Sequence, residues 1–206
     1  MKTLDIATKV CLSSAVLMFT CSINIASGAV ITFDFLSGAN TDPYTAYTEG
    51  AFTITAVSGS WFQAKLFGNP LPSIYDGPVF SPGPGTLQVT AAVPFTFSSV
   101  DYSSNNGDSA YLIQGFQGTV NVFNEIGTLN GTFSFAFSTL FSTHPSVQVT
   151  SLLIQLTPGD GVSSINLDNI SASSSVPEPG GRFLVGLVAG AVAAYKYVRG
   201  YMMAKS

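Results

Sequence analysis

Between Val30 and Ala172, apolar residues recur at every second position in short runs, and no long segment carries the three-to-four spacing of an amphipathic helix. The runs are "VITFDFL", "AFTITAVS", "WFQAKLF", "TLQVTA", "PFTFSSVDY", "SAYLIQGFQ", "TVNVFNEI", "GTFSFAF", "VQVTSLLIQL" and "SINLDNISA". They are rich in Val, Ile, Thr, Phe and Tyr, which suit a pleated, half-buried surface, and Gly, Pro, Asn and Asp clusters separate them. Ten such segments predict an all-β chain folded as a β-sandwich, in its simplest form a jelly roll. "IQGFQGTVNVF" predicts a hairpin closed around Gly115 and Gly118. Phe67–Thr86 holds five prolines and four glycines and predicts a long irregular loop of the kind that often binds something.

The ends differ in kind. Lys2 and Lys9 precede the moderate apolar run "VCLSSAVLMFTCSINI", and small residues "ASGA" follow, which together predict a secretory signal peptide. Cleavage after Gly28 or Ala29 satisfies the small-residue rule, and Ala29 is the favoured site, giving a signal over 1–29. An uncleaved anchor is the competing reading, which Asp5 and the Ser and Thr residues of the run weaken. Cys11 and Cys21 both fall inside the signal, so the mature chain has no thiol.

At the other end, a linker over 173–182 precedes "FLVGLVAGAVAAY" from Phe183, 13 apolar residues spanning about 20 Å as a helix. Extended through Met203, with Lys196 and Arg199 reaching for the headgroups, the segment 183–206 predicts a single transmembrane helix. Lys196, Arg199 and Lys205 keep its tail cytoplasmic. Gly186, Gly190 and Ala194 repeat at the four-residue spacing of packed membrane helices.

Val176-Pro177-Glu178-Pro179, followed by a short apolar helix and basic residues, resembles the PEP-CTERM sorting signal of exported bacterial proteins. The resemblance implies that an exosortase, a membrane protease, recognises these four residues, removes the tail and passes the protein to the cell surface or extracellular matrix. The chemistry agrees: two prolines hold an extended backbone without internal hydrogen bonds, open to an enzyme groove, and Gly180-Gly181 loosens the junction beside the bilayer. The body 30–172, through "ITFDFL", "FTFSSVDY…SAYLIQGFQGTV" and "SINLDNISAS", is similar to carbohydrate-binding-module-like or galactose-binding-like jelly rolls. That similarity implies pairing of the first and last strands, with Asp34 brought near Asp168.

Charge narrows the partners. From Val30 to Pro179 there is one lysine, Lys65, against ten acids, a formal charge of −9 that repels phosphate backbones and sets nucleic acid aside. Catalytic residues are not nominated: His144 is the one histidine and precedes a proline in a polar loop, no Gly-x-Ser-x-Gly turn occurs, and no carboxylate pair stands out. Asp34, Asp160, Asp168 and Asn169 offer oxygen ligands for a structural calcium ion, against the plainer role of capping turns. "DYSSNNGDSAYL" fails as an EF-hand loop, with Asn106 where glycine belongs and Leu112 where glutamate belongs. For a sugar, Trp61, Phe62 and Tyr75 are the candidate platform; alternation turns either Trp61 or Phe62 outward, and a core role for Trp61 is the favoured alternative. The reading is an exported, non-enzymatic surface or matrix protein. The alternatives are a carbohydrate-binding module for exopolysaccharide and, third, a secreted glycoside hydrolase.

Overall fold

The long middle of the chain builds two β-layers from one hydrogen-bonded network. The computed structural model describes residues 27–174 apart from 69 and 79. The expected PEP segment and transmembrane helix lie outside the described residues, as does the expected signal peptide except for its last three residues, Ser27, Gly28 and Ala29, which open β1. Thirteen strands form: β1 Ser27–Ile31, β2 Pro43–Tyr44, β3 Ala46–Glu49, β4 Phe52–Ser58, β5 Trp61–Ala64, β6 Ser73–Asp76, β7 Gly85–Asn105, β8 Ser109–Gln117, β9 Val120–Leu129, β10 Gly131–Thr132, β11 Ser138–Phe141, β12 Val149–Pro158 and β13 Ser164–Ser174. No helix occurs among the described residues.

The first layer runs β3-β4-β7-β12-β8-β9, and the second runs β2-β5-β6-β13-β7-β11. The 21-residue β7 belongs to both. Its first part, Gly85–Ala91, pairs with β4 and β12; its second, Phe95–Asn105, pairs with β13. Pro94 sits exposed at the crossing, where its missing N–H breaks no ladder. The sequence reading split this strand in two at that proline. Two further segments differ. "GTFSFAF" is a strand only at Gly131–Thr132 and then turns, and the irregular loop contains β6.

β1 pairs with β13 from Ser27↔Ser174 to Ile31↔Ile170, so the body's two ends lie side by side. The layers close over Phe52, Ile54, Leu87, Val89, Ile113, Leu152 and Ile154 from one side and Ile31, Trp61, Ile74, Phe95, Phe97, Ile165 and Leu167 from the other. Phe52 meets Phe95 edge-on across the gap at 5.4 Å. Each fully buried side chain of this size contributes roughly 1.5–3 kcal/mol, which is how a body without disulfides holds together.

Candidate functional site

The strand register decides which aromatic side chains face outward. β5 pairs with β6 so that Trp61 opposes Asp76 and Phe62 opposes Tyr75. Trp61 takes the inner side, 2% exposed, and donates its Nε1–H to the Ser58 carbonyl at 3.0 Å. It is a core residue and offers no stacking surface. Phe62 and Tyr75 occupy the outer face and stack at 5.4 Å with rings 28° apart, although Tyr75 itself is buried. Phe67 meets Tyr75 edge-on at 6.3 Å, and Phe135 lies 5.5 Å from Phe67. Two loops, Phe67–Pro72 and Phe133–Phe137, therefore lie over the outer face of the second layer.

Beneath them is a ladder of small polar side chains. Asn166 donates to Ser73 Oγ at 3.1 Å and accepts from Ser164 at 3.2 Å, and Ser73 Oγ donates to the Phe67 carbonyl at 3.3 Å. Ser103 and Thr132 share a hydrogen bond of 2.8 Å. Ser73, Ser103, Ser164 and Asn166 are buried and satisfied, as polar groups out of water must be, and Thr132 is half-buried.

The ladder ends in a cluster that reaches solvent. The amides of Asn105 and Asn106 donate to Ser163 Oγ at 2.7 and 3.0 Å, and Ser163 Oγ donates to the Asn105 carbonyl at 3.3 Å. Phe80 N–H donates to the Ser163 carbonyl at 2.7 Å, and Phe135 N–H donates to Asn105 Oδ1 at 3.3 Å. Two rings stand out from this cluster: Phe80 is 83% exposed and Phe133 77%. The backbone here is strained. Phe80, Asn106, Ser134 and Phe135 have φ of 70°, 71°, 57° and 55°, a left-handed region that bulky residues avoid at a cost of about 1–3 kcal/mol each. None of these side chains is charged.

The remaining sequence candidates sit elsewhere. Asp168 is buried on β13, beside a bulge at Asn169 (φ 46°), and accepts from Asn169 N–H at 2.8 Å. Burial first, then the charges of Asp101, Asp34 and Glu49, push its carboxyl up to about 7 against the opposing pull of the Asn169 N–H. Asp34 is thus within electrostatic reach of Asp168. Asp160 lies apart, exposed in the turn between β12 and β13 and against Gly107. Among the described residues no three acidic or histidine side chains gather to hold a metal ion.

His144 is half-buried and built in, where the sequence had placed it in a plain surface loop. Its ring lies flat on Phe123 at 5.0 Å, and its Nδ1 is 3.0 Å from Glu125 Oε1. That same oxygen accepts from Ser142 Oγ and from the N–H groups of Thr143 and His144, so Glu125 pins the 142–144 segment.

Phe133, Phe135, Asn105 and Ser163 were not singled out by sequence, Asn106 was named only for failing the EF-hand pattern, and Phe80 entered only as part of the 67–86 segment expected to form a binding loop. An isolated Phe among alternating apolar residues reads as core, and only Phe80's place between Pro78 and Pro82 hinted at exposure. No family model matches the chain, and no curated protein matches it in sequence. Among solved structures it is similar to a family 29 carbohydrate-binding module from Piromyces equi, at 12% identity and TM-score 0.43 over 72% of this chain and 91% of that one. It is also similar to a DUF4465 family protein from Bacteroides ovatus, at 7% identity and TM-score 0.41 over 72% and 99%. A third similar structure is the family 32 carbohydrate-binding module from C. perfringens NanJ in complex with galactose, at 18% identity and TM-score 0.37 over 60% of this chain and 97% of that one.

Proposed function

We propose that this chain is an exported, non-enzymatic surface protein whose sandwich binds carbohydrate through the Phe80–Phe133 loop cluster. One observation carries the reading: two nearly fully exposed phenyl rings, anchored on strained backbone, flank an uncharged Asn105–Asn106–Ser163 group. A sugar has an apolar C–H face and a rim of hydroxyls. Flat rings receive the first, and amide and hydroxyl groups orient the second. Asn106 is exposed, and its Oδ1 accepts no hydrogen bond among the described residues, so it is free to take a sugar hydroxyl. The site's own neutrality and the acidic body favour a neutral glycan over a uronic-acid polymer.

Export belongs to the same proposal and rests on the sequence of the two ends, with an exosortase as processing partner and the inner membrane as a transient anchor. The test is binding to immobilised neutral polysaccharides. The full chain is retained, and a Phe80→Ala/Phe133→Ala double variant loses at least about tenfold in affinity, or roughly 1.4 kcal/mol, without a change in melting temperature. Unchanged affinity in that variant, or no retention of the full chain on any glycan, would overturn the proposal.

A further inference from the structure

Ser163 sits at the centre of the aromatic loop cluster, immediately before β13, and is buried. A serine hydroxyl has one hydrogen and two lone pairs, and here all three are engaged. The lone pairs accept from the side-chain amides of Asn105 and Asn106 at 2.7 and 3.0 Å, and the hydrogen goes to the Asn105 carbonyl at 3.3 Å. The backbone of Ser163 is engaged too: its N–H donates to the Asn105 carbonyl at 2.9 Å, and its carbonyl accepts Phe80 N–H at 2.7 Å. Nothing on this residue is left for a ligand. Its part in the site is to position other groups.

The two asparagines differ in what holds them. Asn105 is buried, and its Oδ1 accepts Phe135 N–H, so its NH2 group must face Ser163. Asn106 is exposed, and Ser163 is the one partner of its side chain among the described residues. Its backbone is fixed separately: the N–H donates to the Thr132 carbonyl at 2.8 Å, and φ of 71° is a left-handed conformation that asparagine tolerates. The freedom that remains is a half-turn of the terminal amide, which would exchange oxygen and nitrogen. Ser163 blocks it. With the hydroxyl hydrogen committed to the Asn105 carbonyl, only an NH2 group finds a partner at Ser163 Oγ. Asn106 Oδ1 is left on the far side as a bare acceptor.

We propose that Ser163 sets the specificity of the carbohydrate site, an inference that rests on the carbohydrate reading. By holding Asn106 as an acceptor, it selects a glycan that presents a free hydroxyl beside its apolar face. An ether or ester oxygen in that place can only accept, and it would meet Oδ1 lone pair to lone pair. A glycan O-methylated or O-acetylated there is therefore rejected, although its C–H face still suits the phenyl rings. The site tells bare polymer from capped polymer.

The test offers the full chain dextran, mannan and galactan, each native and exhaustively O-methylated. Methylation leaves the C–H faces in place and removes every donor, so stacking alone would retain both forms equally. The unaltered chain binds the native form of at least one polymer at least about tenfold more tightly than the methylated form. Ser163→Ala lets the Asn106 amide turn, and the preference falls to about twofold or less. A second measurement needs neither glycan nor variant: exchange of the Asn106 side-chain amide hydrogens, read by NMR, is at least about threefold slower than that of the exposed Asn130. Equal binding of native and methylated forms would overturn this proposal and leave the carbohydrate reading standing, whereas retention of neither form would overturn both. A preference that survives in Ser163→Ala, or Asn106 hydrogens that exchange as fast as those of Asn130, would remove Ser163 from its role.

Discussion

Asp76 is a carboxyl group buried with nothing to pair with. It is 0% exposed, neither oxygen has a hydrogen-bond partner among the described residues, and burial pushes its pKa up to about 7. It packs where the layers meet, so close to Gly85 that an added Cβ there would lie 2.5 Å from Asp76 Oδ1. A charge in such a place costs several kcal/mol, and the group keeps its proton instead. Unfolded, it ionises near 3.8; folded, near 7. Its contribution is therefore intact below about pH 4 and is lost as pH rises towards 7, by an amount on the order of 4 kcal/mol. Urea unfolding at pH 5 and pH 8 should find the protein less stable at pH 8, with the gap clearly narrower in Asp76→Asn. Asp168, also raised to about 7, supplies the remainder. An equal gap in the variant would show that Asp76 is not the source. Glu125 behaves oppositely: burial raises it, but donors from Ser142, His144 and Thr143 outweigh burial and leave it lowered, so its stabilisation is lost only on strong acidification.

At the scale of elements, the β8–β9 hairpin shows how a glycine can matter for room instead of for turning. Its turn falls after Gln117, at Gly118 with φ 59°, whereas Gly115 lies inside β8. Gly115 opposes Phe123, and a Cβ there would come within 2.2 Å of the ring. Gly115→Ala should therefore displace Phe123 and the His144 ring stacked on it, costing about 1–3 kcal/mol in denaturant unfolding. A cost near zero would mean that the ring moves freely. Period-two alternation made the β class and most strand positions readable, because burial on one face imposes it. It could not choose between Trp61 and Phe62, since a one-residue shift of register exchanges the faces. Nor could it join the halves of β7, because a proline normally ends a strand and here sits where the strand passes between layers. The aromatic loops were hidden for a related reason. "GTFSFAF" alternates like a strand, yet Ser134 and Phe135 adopt left-handed backbone and turn away from the sheet.

For the whole molecule, the pairing of Ser27 with Ser174 places the first and last described residues side by side. Cleavage after Ala29 would remove three of the five β1 pairs and leave Val30↔Ser171 and Ile31↔Ile170 to hold the first strand. The body would keep its core, because Ile31 and Ile170 are the fully buried pair. Loss of the carboxyl end from Val176 onward removes no described strand at all, since β13 ends at Ser174. Cutting within the proposed sorting segment would therefore leave every described strand intact. The proposed sorting route then makes a definite demand on one residue outside the body. Replacing Glu178 removes the lone acid of Val176–Pro179 and alters no residue of a described strand, so on the proposed route Glu178→Ala should accumulate in the inner-membrane fraction at full length while the unaltered chain leaves it. Both versions should show the same unfolding midpoint. If the two fractionate alike, Glu178 is not read by a sorting protease and the proposed sorting route fails.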